Sequence, residues 1–220
     1  MDFKSFIAQL QTSSADDVSA GSTLSKLEVE ALDEAKVEKL VYDKASDISF
    51  YLELSDDNYH TAEFWGFGLK IDDRYYATRD VELLKLPKLK QLLEDPAIQV
   101  DVFDGKQTYV ALKRIGIELK NINFDLLLVS YLLNTSDNSN DLGNLAKRHD
   151  YFDVLTDEEV YGKGSKRKVP VDDAIYFEHL AHKLKAISEL EDKLMKELAE
   201  NEQEDLYFEI ERPLSLVLAQ

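Results

Sequence analysis

Two apolar stretches, ISFYLEL (48–54) and AEFWGFGL (62–69), flank the polar run SDDNYH (55–60) and constrain the fold of this chain more than any other feature. Aromatic and β-branched residues at this density favour a half-buried sheet. Ser, Asp and Asn favour turns because their short side chains bond nearby backbone. The pair therefore reads as neighbouring antiparallel strands. Glu53 lies inside the first of them. A carboxylate in a core strand is costly unless it is paired, bound to metal or at the strand's edge. What the chain does turns on which partners Glu53 has.

Around this pair the pattern predicts further elements. LEVEAL (27–32) alternates as a strand does, and a helix over 33–44 follows, with Asp33 as its cap. RYYAT (74–78) gives a third strand beside the central pair. A helix over 87–96 is bracketed by Pro87 and Pro96. AIQVDVF (97–103) reads as a strand, 104–116 as a helix ending at Gly116, and INFDLLLVSYLLN (122–134) as a buried helix, apolar nearly all round. A short helix over 142–151 precedes the exposed, flexible basic loop YGKGSKRKVP (161–170). From Asp172 a long helix carries Ile175, Leu180, Leu184, Ile187, Leu190, Leu194 and Leu198 on one stripe. Strands first and alternating elements after fit an α/β domain with a mixed sheet.

The ends read differently. Phe3, Phe6, Ile7 and Leu10 have helical spacing, and the small, polar run 12–25 reads as a linker. A last helix over 204–220 contains Pro213, which kinks or restarts it. The apolar run Leu214 to Leu218 suits a segment made to pack on a neighbour. The expected organisation is an N-terminal helix and linker over 1–25, one domain over 26–205, and a helix over 206–220 leading into a further domain.

The charge excludes some functions. Acidic side chains number 44 against 26 basic, a formal charge of −18, so the surface repels nucleic acid unless basic residues gather on one face. With no cysteine, disulfides and thiolate zinc sites are excluded. No apolar run approaches a membrane span and MDFKSFIAQL lacks the regions of a signal peptide, so a cytoplasmic setting is the expectation.

Four stretches in order, FYLELSDDNYH, LKRIGIELKNINFDLLLVSYLLN, LGNLAKRHDYFDVLTDEEVYGKGSKRKVP and LYFEIERPLSLVLA, resemble the 3′–5′ exonuclease-type domain of bacterial DNA polymerase I. The resemblance runs from about Leu27 to the end. It implies a ribonuclease H-like fold, a central mixed sheet flanked by helices, and a polymerase domain of the same parent chain as partner. Active members cut phosphodiesters with two divalent metals held by carboxylates. Their pattern is D-x-E on the first strand, Asp on a middle helix and Y-x-x-x-D on a late helix.

Carried over, the resemblance places Tyr51 at the first Asp, keeps Glu53, puts Thr108 at the helical Asp, and puts His179 and Lys183 at the late Tyr and Asp. Glu53 is the surviving carboxylate, and the Lys183 ammonium repels a cation and is free to neutralise Glu53. The resemblance thus implies a degenerate site with no metal or other cofactor, and a domain that supports the polymerase. Two alternatives stay open. One is an active exonuclease whose ligands have shifted to Asp104, Asp56 or Asp57. The other is a protein-interaction module on the same fold. His60, His149, His179 and His182 lack metal-ligand spacing and read as surface or packing residues. Lys163, Lys166, Arg167 and Lys168 are candidates for weak DNA contact, but a charge run is more simply a solvated loop. Phe64, Trp65 and Phe67 could be a stacking platform, against the plainer reading of core packing.

Overall fold

Residues 24–133 and 139–201 are described by the computed structural model. The expected N-terminal helix and last helix, with Pro213 and Leu214 to Leu218, lie outside them. The strands are β1 (Val29–Ala31), β2 (Ile48–Leu54), β3 (Phe64–Ile71), β4 (Arg74–Thr78), β5 (Val100–Val102) and β6 (Ile122–Asp125). They form one mixed sheet in the order β1-β4-β3-β2-β5-β6. Strands β2, β3 and β4 make an antiparallel meander, while β5 and β6 continue beside β2 in parallel. β2 is therefore central, and all seven of its residues are buried. This rules out an edge position for Glu53.

The helices are α1 (Glu34–Glu38), α2 (Pro87–Glu94), α3 (Gly105–Arg114), α4 (Leu126–Leu133), α5 (Leu142–Arg148), α6 (Asp157–Tyr161) and α7 (Asp173–Glu200). Asp33 and Asp172 cap α1 and α7 as their short acidic side chains allow, accepting from Lys36 N and Ala174 N. The α7 stripe lies against the sheet, with Leu180, Leu184, Ile187, Leu190, Leu194 and Leu198 all buried. No helix among the described residues is long and apolar enough to cross a membrane.

Several boundaries move from their expected places. The helix expected over 33–44 stops at Glu38, and the strands expected over 27–32 and 97–103 keep three residues each. The helix expected from Ile122 begins only at Leu126, because INFD pairs with β5 as a strand. Asp125 sets that change. Its Oδ1 accepts from Leu127 N and Leu128 N, ending the strand and starting α4, while Oδ2 accepts from Gly105 N at the head of α3. Burial pushes the Asp125 carboxyl up to about 6.

Two glycines of β3 decide how closely the layers approach. Gly66 has φ +144 and pairs with Glu53; a Cβ there would stand 2.2 Å from Thr78 O. Gly68 pairs with Tyr51, and a Cβ there would meet Leu184 Cδ1 at 3.0 Å and Leu180 Cβ at 3.2 Å. The bare Gly68 lets α7 settle on the sheet beside Tyr51 and Glu53. Lys183, between Leu180 and Leu184 on α7, is carried down with it.

Candidate functional site

Glu53 is 3 % exposed and Lys183 fully buried, so neither charge is solvated. The Lys183 Nζ lies 2.6 Å from Glu53 Oε2 and 2.5 Å from Asp157 Oδ1. It donates its third hydrogen bond to Tyr51 Oη at 3.1 Å. An ammonium has three N–H groups, and all three are used. It also stands 4.3 Å from the Tyr51 ring centre, a cation–π distance. Tyr161 Oη donates to Glu53 Oε2 at 2.8 Å, and His179 Nε2 is 2.8 Å from Asp157 Oδ1.

Opposed charges set the protonation here. Burial pulls the Lys183 ammonium downward, but Asp157 and Glu53 outweigh it and hold the group well above its ordinary value. Burial likewise works against an ionised Asp157, yet Lys183 keeps its carboxyl below the usual range. Glu53 goes the other way: burial pushes it up to about 7 against the pull of Lys183. Burial and the Lys183 charge together hold His179 down to about 4. The imidazole is thus neutral at pH 7 and donates from Nε2, leaving a buried Nδ1 without a partner among the described residues.

Of the residues singled out in the sequence, Tyr51, Glu53, His179 and Lys183 come together and Thr108 does not. Thr108 is buried on α3, where its hydroxyl donates to Asp104 O of its own helix. The acids considered for a shifted ligand set do not join Glu53 either. Asp104 caps α3 through Gln107 N, and Asp56 and Asp57 line a polar cleft of ≈ 440 Å³ with Asp141, Asp157 and Glu158. Among the described residues, Glu53 shares no group of three ligand atoms lying within 4.8 Å of one another.

Asp157 and Tyr161 were not singled out in the sequence. Their signal was local. T-D-E-E at 156–159 is a capping box, with Thr156 accepting from Glu159 N and Glu159 Oε1 accepting from Thr156 N. That motif starts α6, and residues 157 and 161, four apart, share a helical face.

The other candidates are held by packing. His179 and His182 are buried, not at the surface, and His182 Nε2 bonds Ser25 O. His149 bonds Ser130. Phe67 is in the core, while the Phe64 and Trp65 rings lie under the guanidinium groups of Arg114 and Arg167. Arg167 also donates to Ser55 O, so it is fixed and half-buried, whereas Lys163, Lys166 and Lys168 are exposed.

A second acidic group sits at the other end of the sheet. Ligand atoms of Asp47, Asp101 and Glu191 lie within 4.8 Å of one another. Burial pushes Asp101 up to about 9, and the adjacent Glu191 carboxylate adds to that.

The family described as "DNA polymerase I, ribonuclease H-like domain" matches residues 50–190. The chain is 41% identical over 189 residues to DNA polymerase I of Geobacillus stearothermophilus, covering 86% of this chain and 21% of that one. It is 38% identical to DNA polymerase I of Bacillus subtilis, over 83% of this chain and 21% of that one. The chain thus spans about a fifth of the length of these curated relatives. Among solved structures, Brucella melitensis NrnC bound to pGG superposes with TM-score 0.66 at 14% identity, covering 88% of this chain and 92% of that chain. The POL domain of Pol1 from M. smegmatis in complex with DNA primer-template and dNTP gives TM-score 0.63 at 18% identity, over 87% and 31%. Escherichia coli RNase D gives 0.62 at 14%, over 89% and 51%. The mixed sheet with flanking helices is the ribonuclease H-like fold of these neighbours.

Proposed function

The chain belongs to the family of DNA polymerase I ribonuclease H-like domains, and from that premise we propose that it is an exonuclease-type domain without nuclease chemistry. Its role is to support a polymerase portion of the same parent chain. The observation that carries this is the buried Lys183 ammonium, which bonds to Glu53 and Asp157 at once. Two-metal hydrolysis requires cations to hold the phosphate and activate a water. Here a fixed positive charge fills the place between the carboxylates, and all three of its donors are satisfied. Tyr51 and Thr108 offer neutral hydroxyls at the positions where the resemblance calls for Asp. The residues do not fit a pair of divalent cations, so no hydrolytic step is assigned to them.

The support role rests on the length relation and on the internal ion pair. Relatives carrying the polymerase I name are about five times as long as the stretch matched. A domain whose site is closed by an internal ion pair still offers a rigid sheet and a helix of 28 residues on which other parts can rest.

The competing reading is an exonuclease that draws its ligands from Asp56, Asp57 and Asp104. Degradation of a 3′-labelled single-stranded DNA with magnesium or manganese separates the two, with Glu53→Ala beside the wild type. The expected outcome is no release of label from either protein. Release by the wild type that is abolished in Glu53→Ala would overturn the proposal.

A further inference from the structure

At the end of the sheet away from Glu53, the geometry points to a divalent-cation site formed by Asp47, Asp101 and Glu191. The three side chains come from separate elements. Asp47 immediately precedes β2, Asp101 is the middle residue of β5, and Glu191 lies on α7 eight residues beyond Lys183. Eight helical residues amount to about 12 Å along the axis, so this group is distinct from the Lys183 site.

Charge balance differs between the two ends. At the Lys183 site one ammonium serves two carboxylates. Here three carboxylates crowd within 4.8 Å, and Lys70 Nζ, 3.1 Å from Asp47 Oδ2, is the ammonium that meets them. Among the described residues neither Asp101 nor Glu191 has an ion-pair partner. Asp101 and Glu191 hydrogen-bond to each other; Asn123 Nδ2 donates to Asp101 at 2.9 Å and Glu191 at 3.2 Å, and Ser188 Oγ donates to Asp47 at 3.3 Å.

Ser49 supplies an independent observation. Its side chain is fully buried and its hydroxyl has no hydrogen-bond partner among the described residues. Ser49 pairs in register with Asp101 across β2 and β5, and it follows Asp47 by two residues. Strand alternation therefore aims the hydroxyl to the face that carries both carboxylates. An unpaired buried hydroxyl is unfavourable, whereas a hydroxyl oxygen can join carboxylates around a hard cation. An all-oxygen set suits Mg²⁺, Mn²⁺ or Ca²⁺, which complete their shells with water. Asp47 is half exposed and leaves the site open to solvent. A bound ion would tie α7 to β5 and to the start of β2, the same helix that carries Lys183.

The probe is Mn²⁺, followed by its electron paramagnetic resonance signal and by thermal unfolding of the whole chain. The expected result is one bound ion and a raised Tm. Glu191→Gln and Asp47→Asn, both at sites open enough to keep the fold, weaken binding by about tenfold or more. Glu53→Gln leaves binding unchanged. No binding at millimolar Mn²⁺, or affinity unaltered by Glu191→Gln, would overturn the assignment. Binding lost in Glu53→Gln would also overturn it, by locating the ion at the other end of the sheet; that outcome would count against the absence of nuclease chemistry as well.

Discussion

Lys183 sets the charge balance around Glu53 because a buried charge is tolerated only when it is paired and fully hydrogen-bonded. Removing it strands two carboxylates. Lys183→Met is expected to cost about 3–5 kcal/mol in denaturant unfolding. Adding Glu53→Gln and Asp157→Asn should recover most of that, since the charges then leave together; an unrecovered loss would mean that packing, not charge, holds the site. The same residues set the pH response. Glu53 titrates at about 7 in the fold against 4.5 unfolded, so the stability it contributes is complete below 4.5 and lost as pH rises through 7. His179 titrates at about 4 against 6.5, so its contribution is complete above 6.5 and lost as pH falls towards 4. The two oppose one another between these limits. Glu53→Gln should therefore gain on the wild type as pH rises from 4.5 to 7, and His179→Gln as pH falls from 6.5 to 4. Each change is on the order of 2–3 kcal/mol, read from melting curves across pH. The sequence offered Lys183 as a charge able to neutralise Glu53, but whether the two face one another was not legible there and follows only from the packing of α7 on the sheet. Asp157 was not legible either, since an acid in a helix cap looks the same whether it faces water or a buried ammonium.

Among the elements, the closeness of α7 and β3 places that lysine. Gly68→Ala puts a methyl against Leu184 and Leu180 and should cost about 1–3 kcal/mol. Gly66→Ala should cost more, because a Cβ would collide with Thr78 backbone and φ +144 disfavours any side chain. Equal costs at the two positions would argue that α7 yields easily and that the contact does not fix Lys183. The paired strands, the proline-bracketed α2 and the α7 stripe could be read from the sequence, since each rests on local periodicity with clear boundary residues. INFD could not. Its apolar residues fit a helix or a buried strand equally, and the choice is made by β5 and by Asp125, which bonds backbone on two helices. The acidic group at Asp101 was hidden for a similar reason: its members are 54 and 90 residues apart and meet only through the sheet and α7.

For the whole molecule, two positions eight residues apart on one long helix, Lys183 and Glu191, meet the acids of the sheet in opposite ways. At Lys183 one ammonium stands between two carboxylates, and at Glu191 three carboxyl groups gather beside Lys70. The formal charge of −18 works against nucleic-acid binding, and Arg167 in the basic loop is engaged with Ser55, Trp65 and Tyr161. Most decisive would be the nitrogen resonance of the Lys183 ammonium, followed by NMR while Mg²⁺ is added at pH 8. The expected signal is a protonated, slowly exchanging ammonium that does not move with Mg²⁺ and shifts in Glu53→Gln. A signal that moves or vanishes as the ion displaces the ammonium from Glu53 and Asp157 would contradict the claim that Lys183 holds the place of the metals.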